Sequence, residues 1–546
     1  MLNQKQNIRI ITISDLHISK FTGYFNEEAF TNGIMSIASK LKKNPQTILL
    51  NLGDITDQGT FEDYIYANTL INGTFTSFGV KNPEFHCLPG NHDFRNVGME
   101  IWKEFYGFRH FFIDTTTTGG NVVILGIDSV EPDMDSGRIG NRGMEEILAK
   151  FSQYPDHIVK ILCFHHHVLP IPKTGRERSM VVDAGDVLRI LWETGVDIVI
   201  VGHRHFPHSY TISNGKRKML LINNGTFSSN KTRGKAGHVY LSLDISSDQI
   251  EERFIGIDRY STFQKPEKHV YHLFQGNIPS YPIEGKLDEV TIKICHLGCT
   301  HFSPGGDFQK EIYEKGIEMV IAEHPSLIVH CGNLTNDSFP EDYALAKYYL
   351  NTLKEKTNIP VVLVPGTRDL HPYGKKLWIS QIGPLDPIYD NTDNFLHVFG
   401  INTGPDSSGN IGRGILNLLK EDLVNLRSQQ VPIVAMHHSC IPIPRSSFER
   451  TVRNAGDSLD FFTTNQIPVV LSGLEHHATS LQVEKTVFVN AGTFSSKKIK
   501  SKKLNTFNVL TFYRNNVLLV EEVEIHSSFR HLRGIYEIPL QEKTIY

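Results

Sequence analysis

The stretch that decides the fold lies near the start of the chain and reads Ile8-Arg9-Ile10-Ile11-Thr12-Ile13-Ser14-Asp15-Leu16-His17. A short run rich in β-branched residues predicts a buried strand. The aspartate and histidine that follow the run would then lie in a loop at the carboxyl end of the strand. That end is where α/β sheets usually bind ligands, so the stretch predicts a sheet and a candidate site at its edge.

Four more polar motifs follow further along the first half of the chain. They are Gly53-Asp54, Gly90-Asn91-His92-Asp93, His165-His166 and Gly202-His203-Arg204-His205. Apolar runs at 47–52, 158–164 and 197–201 end at three of these motifs, and helix-compatible stretches such as 26–43 and 144–151 separate the runs. Apolar strands alternating with helices predict an α/β fold whose sheet is covered on both faces.

The second half of the chain repeats these landmarks in the same order. Gly53-Asp54-Ile55-Thr56-Asp57 recurs as Gly332-Asn333-Leu334-Thr335-Asn336, and His165-His166 recurs as His437-His438. The period is far too long for a solenoid, so we predict a duplicated whole domain. The predicted boundaries are 1–275 for the first domain, 276–287 for a linker rich in Gly and Pro, and 288–546 for the second domain.

The composition is that of an ordinary globular protein. Hydrophobic residues make up 40% of the 546 residues, and the net charge of -4 gives no general attraction to nucleic acid or anionic membranes. No run is apolar enough to span a bilayer, and residues 1–7 do not match a signal peptide. The spacing of Cys295 and Cys299 predicts neither a redox pair nor a metal pair. We expect a soluble, cytoplasmic protein without membrane contact, in an oligomeric state that the sequence leaves open.

The motifs of the first domain supply seven candidate metal ligands. They are two carboxylates, one amide oxygen and four imidazoles, from Asp15, His17, Asp54, Asn91, His165, His203 and His205. This mixture suits borderline divalent ions such as Mn, Fe, Zn, Co or Ni, and no thiolate is present to favour a softer ion. Seven ligands are too many for one ion but suit two ions, about 3.5–4 Å apart, that share a carboxylate.

Taken together and in this order, the five motifs resemble those of the calcineurin-like metallophosphoesterases, and the resemblance covers the whole first repeat. The predicted architecture is then two tandem four-layer αββα sandwiches. The resemblance implies two metal ions that share Asp54. Asp15, His17, Asp54 and His205 would hold one ion, and Asp54, Asn91, His165 and His203 would hold the other.

The resemblance also implies how the site works. A hydroxide that bridges the metals would attack phosphorus in line, while His92 protonates the leaving alkoxide as the general acid. Asp93 would orient His92. Residues 165–167 are all histidine. We take His165 as the ligand, because the second repeat keeps His437-His438 at this place and the family usually uses the first of the pair, and His166 is the alternative.

The residues around the motifs are most similar to a small-substrate branch of the family that includes class III cyclic nucleotide phosphodiesterases. We therefore expect a small phosphodiester or cyclic nucleotide as the substrate, with Arg95 as a candidate contact for its phosphate or ribose. Two alternatives stay open: a nuclease whose second domain grips nucleic acid, and a non-catalytic nucleotide-binding or scaffold protein. The intact His92 argues against the second, because a binder needs no leaving-group acid.

The second domain is expected to be a degenerate, catalytically inactive copy. The landmarks place His296 and Gly298 opposite Asp15 and His17, and they leave only His437 and His476 as unchanged ligands. Carboxylate, amide and acid positions are replaced by Asn333, Thr367, Arg368 and Leu474. Basic residues nearby could bind an anion or a nucleic acid backbone, although a solvated basic loop is favoured. They are Arg368, Arg445, Arg450, Arg453, Lys497, Lys498, Lys500, Lys502 and Lys503.

Overall fold

The structure is a computed structural model of the chain. It describes residues 7–246, 248–259, 261–263, 268–272, 289–391, 395–427, 430–499 and 504–539. The chain forms two compact units, one comprising Met1–Thr211 and Arg217–Asn277 and the other comprising Ile212–Lys216 and Ile278–Tyr546. The predicted linker at 276–287 lies outside the described residues.

The described residues between 7 and 272 contain twelve strands. They are β1 (Ile8–Ile13), β2 (Ile48–Asn51), β3 (Phe85–Cys87), β4 (Phe111–Asp114), β5 (Val122–Gly126), β6 (Val159–Cys163), β7 (Ile198–Val201), β8 (His208–Ser213), β9 (Lys218–Asn223), β10 (Val239–Ile245), β11 (Gln249–Gly256) and β12 (His269–His272). One sheet has the order β12-β11-β10-β1-β2-β3, and the other strands follow the order β8-β9-β7-β6-β5-β4. β1 is parallel to β2 and antiparallel to β10.

Five α-helices accompany these strands. They are α1 (Glu27–Lys43), α2 (Phe61–Ser77), α3 (Gly98–Phe105), α4 (Gly140–Phe151) and α5 (Ala184–Thr194). α1 begins where the side chain of Asn26 accepts the N–H of Ala29 at 2.9 Å, and lysines in its last turn complement the helix dipole. The helix-compatible stretches at 26–43 and 144–151 fall in α1 and α4.

Alternate residues of β1 face two different hydrophobic cores, because successive side chains of a strand point to opposite faces of the sheet. Ile10 belongs to a cluster built from strands of both sheets. Ile11 and Ile13 belong to another cluster, which contains residues of α1, α2 and α3. The first sheet is thus covered by the second sheet on one face and by helices on the other.

The described part of the second unit has twelve strands and five α-helices in the same order. The strands are β13 (Val290–Leu297), β14 (Leu327–Cys331), β15 (Val361–Val364), β16 (Ile388–Asn391), β17 (Leu396–Ile401), β18 (Val431–Met436), β19 (Val469–Ser472), β20 (Thr479–Val483), β21 (Thr486–Asn490), β22 (Thr506–Tyr513), β23 (Val517–Glu524) and β24 (Arg530–Glu537). The helices are α6 (Lys310–Ala322), α7 (Pro340–Lys356), α8 (Gly374–Gln381), α9 (Arg413–Asn425) and α10 (Ala455–Thr464). Within the described ranges, no helix combines the length and the apolar character needed to cross a bilayer.

The strand orders of the second unit match those of the first position by position. They are β24-β23-β22-β13-β14-β15 and β20-β21-β19-β18-β17-β16. The hydrophobic core is divided in the same way. Ile294 packs in a cluster that contains residues from both sets of strands, whereas Cys295 packs with residues of α6, α7 and α8. The predicted fold class, two tandem α/β sandwiches, is confirmed.

Candidate metal centre

The predicted ligands of the first unit lie in loops that follow strands, and several of these loops are strained. Five ligands have a left-handed backbone with φ between 51° and 72°, namely Asp15, His17, Asp54, His203 and His205. Residues with a Cβ rarely adopt this conformation, which costs about 1–3 kcal/mol at each position. Such strain persists where the surrounding structure fixes it, and it is concentrated at functional sites.

Two glycines allow the loops after β2 and β3 to approach each other. Gly53 has a φ of 101°, and a Cβ atom on it would lie 2.4 Å from the backbone N of Gly90. A Cβ atom on Gly90 would lie 2.2 Å from the backbone N of Asp54. A side chain at either glycine would therefore force the two ligand-bearing loops apart.

Asp15, His17, Asp54 and His205 form the first ligand cluster. All four are buried, and one donor atom from each lies within 4.8 Å of the others. The Nε2 atoms of His17 and His205 are 3.1 Å apart, and Asp15 Oδ1 lies 3.3 Å from His205 Nε2. Asp54 Oδ2 lies 3.5 Å from His17 Nε2.

Hydrogen bonds on the far side of the two rings fix their tautomers. His17 Nδ1 faces Asp57 Oδ1 at 2.9 Å, and His205 Nδ1 faces the carbonyl oxygen of Lys231 at 2.8 Å. Both partners are acceptors, so each Nδ1 carries the proton and each Nε2 presents a lone pair. Two lone pairs and two carboxylates thus converge on one place, and a divalent cation there would relieve their mutual repulsion.

The second ligand cluster consists of Asn91, His165 and His203, on the other side of Asp54. His165 Nδ1 donates to the carbonyl oxygen of Leu52 at 2.7 Å, so Nε2 is the nitrogen that faces the cluster. Burial lowers the pKa of this ring, but Asp54 raises the pKa to about 9, so a cation would bind Nε2 by displacing its proton. This Nε2 lies 3.3 Å from Asn91 Oδ1, 3.3 Å from His203 Nδ1 and 3.4 Å from Asp54 Oδ2. Atoms that can bind a metal ion therefore converge here as they do in the first cluster.

Asp54 belongs to both clusters because one of its oxygens, Oδ2, faces a histidine of each cluster. Oδ1 accepts the backbone N–H of His92 at 2.8 Å, whereas Oδ2 faces the Nε2 atoms of His17 and His165. Burial alone would raise the pKa of this carboxyl, but the imidazoles of His165 and His92 hold the pKa well below its usual range. The seven predicted ligands thus come together as two clusters that share one carboxylate oxygen, a donor set that fits two borderline divalent ions.

The three adjacent histidines have different surroundings. The Nδ1 atom of His166 bonds to a serine hydroxyl at 2.9 Å, and His167 Nε2 bonds to the carboxylate of Glu177 at 3.0 Å. His166 belongs, together with His165, to a group that could hold a metal ion. Since the Nε2 atom of His165 faces the shared carboxylate oxygen, the geometry favours His165 over His166 as the ligand.

His92 lies beside the clusters and is held by Asp57. Its Nδ1 is 2.9 Å from the carbonyl oxygen of Asp57 and 3.2 Å from Oδ1 of the same residue, which also faces His17. Burial alone would lower the pKa of His92, but Asp54 and Asp57 raise the pKa above its usual value. Sequence reasoning misses Asp57, whose one signal is its place at the end of the repeated Gly-Asp-Ile-Thr-Asp segment.

Asp93 has a different role from the one expected of it. Its carboxylate accepts the N–H groups of Ile55 at 3.1 Å, Thr56 at 2.8 Å and Gly90 at 2.9 Å, and the hydroxyl of Thr56 at 2.9 Å. The expectation that Asp93 orients His92 is therefore wrong, because its oxygens bond the backbone of two loops. Asp93 ties the two loops together and so positions the ligands that they carry.

A cavity of about 320 Å³ opens over both clusters. Six cationic side chains line it: Arg204 of the Gly-His-Arg-His motif, and Arg95, Arg176, Arg178, Lys231 and Arg233 outside the motifs. Arg95, the predicted substrate contact, thus lies in this lining. The spacing of the other four outside the motifs does not connect them to any motif, so sequence reasoning misses them.

In the second unit, backbone hydrogen bonds correct the alignment of the first motif. The N–H of Asp15 donates to the carbonyl oxygen of Gly53 at 3.0 Å, and the N–H of Cys299 donates to that of Gly332 at 3.0 Å. The φ angles agree as well, at 57° for Asp15 and 56° for Cys299. Cys299 therefore occupies the position of Asp15.

It follows that His301 corresponds to His17, with φ angles of 57° and 51°. The expected pairing of His296 with Asp15 and of Gly298 with His17 is wrong, because His296 still lies within β13. The correct alignment escapes sequence reasoning because a thiol has replaced the carboxylate of the Asp-x-His pattern.

Asn333 stands at the position of Asp54. Its Oδ1 accepts the backbone N–H of Arg368 at 2.9 Å, just as Asp54 Oδ1 accepts that of His92. The position of the shared metal-facing oxygen is thus taken by an amide NH₂ group, which donates hydrogen bonds and cannot bind a cation. The second unit lacks the bridging carboxylate.

Four of the six candidate basic residues that the structure describes in the second unit form ion pairs with acids. The ion pairs are Arg368 with Asp337 at 3.0 Å, Arg450 with Glu475 at 2.7 Å, Arg453 with Asp406 at 3.1 Å and Lys498 with Asp307 at 2.6 Å. Three of the predicted lysines, Lys500, Lys502 and Lys503, lie outside the described residues. Pairing cancels much of the positive charge and favours a solvated loop over an anion site.

Among solved structures, the chain is similar to a purple acid phosphatase from the seeds of yellow lupin (Lupinus luteus). The identity is 12% and the TM-score 0.38, over 50% of this chain and 55% of that one, so the chain spans just over half of that protein's length. A dimetal phosphatase from Danio rerio is also similar, with 11% identity and a TM-score of 0.34 over 49% of this chain and 99% of that one.

No curated protein matches the sequence. The family model for calcineurin-like phosphoesterases matches it twice, at residues 8–207 and again at residues 292–478. The two matches cover most of the chain, so the resemblance and its tandem character are confirmed. Members of this family typically bind a dinuclear metal centre, and the first unit contains a His/Asp cluster able to hold metal ions. The chain belongs to the calcineurin-like phosphoesterase family.

Proposed function

We propose that the first unit hydrolyses a small, anionic phosphodiester, cyclic nucleotides included. The observation that carries the proposal is the convergence of imidazole nitrogens and carboxylates on both sides of Asp54, with His92 beside them. When bound, two divalent ions supply Lewis acids for the phosphoryl oxygens and a nucleophile derived from water at neutral pH. The residues of the chain hold the ions, bind the substrate and protonate the leaving group.

His92 is the residue that supports a diester as the substrate. The alkoxide that leaves a phosphodiester is a poor leaving group unless it is protonated as the bond to phosphorus breaks. With Nδ1 of His92 held by Asp57, Nε2 is the atom available to donate that proton. The carboxylates of Asp54 and Asp57 favour the protonated ring.

The cavity supports a small substrate. Its volume of about 320 Å³ is near the lower end of the range for small-molecule pockets. The arginines and lysine in its lining would attract a negatively charged molecule and bind its phosphate oxygens. A nuclease would instead need an extended cationic surface to bind the nucleic acid backbone. Three of the arginines of the second unit that could form such a surface, Arg368, Arg450 and Arg453, are paired with acids.

The experiment is hydrolysis of bis(p-nitrophenyl) phosphate by metal-stripped protein resupplied in turn with Mn, Fe, Zn, Co or Ni. We expect turnover that depends on metal, is lost in Asp54→Asn and is unchanged in Asn333→Ala, the matched variant in the second unit. Turnover of p-nitrophenyl phosphate alone would show a monoesterase. Activity on DNA or RNA that falls steeply with salt would show a nuclease.

A further inference from the structure

Three potential metal ligands lie together in the second unit. Cys299, His301 and His476 each offer a donor atom, and these atoms lie within 4.8 Å of one another. Cys299 and His301 correspond to Asp15 and His17 of the first unit, and both are at most 1% exposed. The three residues thus stand at the positions of Asp15, His17 and His205 of the first ligand cluster, with a thiol in place of the Asp15 carboxylate.

Hydrogen bonds fix the tautomer of His301. Its Nδ1 lies 3.2 Å from Asn336 Oδ1, and the Nδ2 of Asn336 donates to Asp337, so the amide orientation is determined. The Nδ1 of His301 therefore carries the proton, and Nε2 presents a lone pair. Within the described residues this buried Nε2 has no hydrogen-bond partner. A buried acceptor without a partner is costly, and a bound cation would satisfy it.

His476 is held in the same way. Its Nδ1 lies 2.6 Å from the hydroxyl of Thr493, which donates its own hydrogen to the carbonyl oxygen of Lys498 at 3.2 Å. In the tautomer that satisfies both contacts, the hydroxyl accepts from His476 Nδ1 and His476 Nε2 presents a lone pair. The rings of His301 and His476 lie with their centroids 5.6 Å apart. Each ring is braced on its Nδ1 side, as metal-binding histidines are.

We propose that the second unit binds a single zinc ion through Cys299 Sγ, His301 Nε2 and His476 Nε2. One thiolate and two imidazoles form a donor set that zinc prefers, and three protein ligands leave a fourth position for water or an exogenous ligand. Binding displaces the thiol proton to solvent and breaks its hydrogen bond to the carbonyl oxygen of Gly473, which is 3.3 Å from Sγ. The proposal does not rest on catalysis by the first unit.

The surroundings limit this site to one ion. The amide NH₂ of Asn333 takes the position of the bridging oxygen and lies 3.9 Å from Cys299 Sγ. Thr367 and Leu474 replace two of the ligands of the second cluster, so His437 is left there alone. Cys299, His301, Asn333 and His476 all keep the left-handed backbone of their counterparts, with φ between 52° and 57°. The loops therefore still present the three donors to one point.

The test is cobalt substitution in the full-length protein. A cobalt ion bound by a thiolate gives a sulfur-to-metal charge-transfer band in the near ultraviolet, and the ligand clusters of the first unit contain no sulfur. We expect the band in the wild type, its loss in Cys299→Ala, and its retention in Cys295→Ala, where an equally buried cysteine of β13 is removed. Absence of the band at saturating cobalt, or its persistence in Cys299→Ala, would overturn the proposal.

A second measurement distinguishes loss of the zinc site from misfolding of a single variant. The zinc content per chain, measured by mass spectrometry after dialysis against a weak chelator, should fall by one equivalent in His301→Gln. It should fall by the same amount in Cys299→Ala and should not change in Cys295→Ala. Equal zinc contents in all four proteins, with far-ultraviolet circular dichroism unchanged, would exclude the site.

Discussion

In both units one buried aspartate ties together the loops that follow the second and third strands. Asp93 accepts from three backbone N–H groups and one threonine hydroxyl in the first unit, and Asp369 accepts from Leu334, Thr335 and Gly366 in the same pattern in the second. The unit without the dinuclear ligand set keeps this aspartate, so its role is to hold the loops. Comparison of the units separates what the fold requires from what the chemistry requires.

The same comparison shows that the two oxygens of the Asp54 side chain have different functions. Asp54 Oδ1 accepts the backbone N–H of His92, and Asn333 Oδ1 accepts the backbone N–H of Arg368, the residue at the same position of the second unit. The other atom of the side chain is the metal-facing oxygen in Asp54 and an NH₂ group in Asn333. The second unit keeps the oxygen that binds the loop backbone and lacks the oxygen that faces the metal site. The metal site can therefore change without disturbing the loop.

The largest expected difference between the units concerns the general acid. His92→Ala should lower kcat on a diester with an alkoxide leaving group by about 100- to 10,000-fold, because nothing else protonates the leaving oxygen. The loss should be smaller for bis(p-nitrophenyl) phosphate, whose leaving group needs little protonation. Metal content should not change. Arg368→Ala, at the same position in the second unit, is the control and should leave kcat unchanged. Equal losses with both substrates would remove His92 from the acid role.

The next expected difference concerns acid stability. Glu177 is buried, bonds to His167 and accepts the N–H groups of Arg178, Ser179 and Met180. Burial alone would raise its pKa, but His167, Arg204 and these N–H groups lower the pKa to about 2, below its ordinary value of 4.5. A lowered pKa gives stability that is present above pH 4.5 and lost as the pH falls toward 2, on the order of 3 kcal/mol in all.

Glu177→Gln should therefore lower the free energy of unfolding of the first unit at pH 7, and the difference from the wild type should shrink as the pH falls below 4.5. Urea unfolding followed by tryptophan fluorescence measures it, in a Trp378→Phe background that leaves only Trp102 and Trp192 of the first unit. Glu449→Gln, which changes an exposed glutamate of the second unit, should have no such effect. A difference that does not vary with pH would contradict the assignment.

Much of the first unit could be predicted from the sequence because strand ends and metal ligands coincide there. The run Ile8–Ile13 is predicted and observed as a strand with the same bounds, and all seven candidate ligands lie in the two clusters. Each motif pairs a short apolar strand with polar residues directly after it. Such local patterns are visible in the sequence.

The rest depends on contacts between distant segments, which a motif does not contain. Asp57 orients His92 across 35 positions of the chain, and the neighbouring Asp93 offers a nearer but incorrect candidate. Cys299 could not be recognised as a ligand position because its chemistry differs from that of aspartate. The equivalence of the two positions shows in the backbone hydrogen bond and the φ angle, which are alike for Cys299 and Asp15.

A smaller effect is expected from Asp57, which acts through two imidazoles. Asp57→Asn removes the charge that holds His92 and His17 and should lower metal affinity or kcat/KM by about 10- to 100-fold. The pH profile of kcat should also shift, because the carboxylate no longer favours protonated His92. Asn336→Ala changes the corresponding residue of the second unit and should leave kcat/KM unchanged. If both variants lose activity equally, the effect is one of folding rather than of orientation.

The smallest expected effect concerns the basic residues of the second unit. Arg453 and Asp406 form a partly exposed ion pair at 3.1 Å, so Arg453→Ala should change the free energy of unfolding by about 0.2–1 kcal/mol. If these residues are a solvated, charge-paired loop, the variant should bind inorganic phosphate and short DNA no more weakly than the wild type at any salt concentration. Salt-sensitive binding in the wild type that weakens in Arg453→Ala would show that a carboxylate partner does not prevent the arginine from binding an anion. The second unit would then have an anion site of its own.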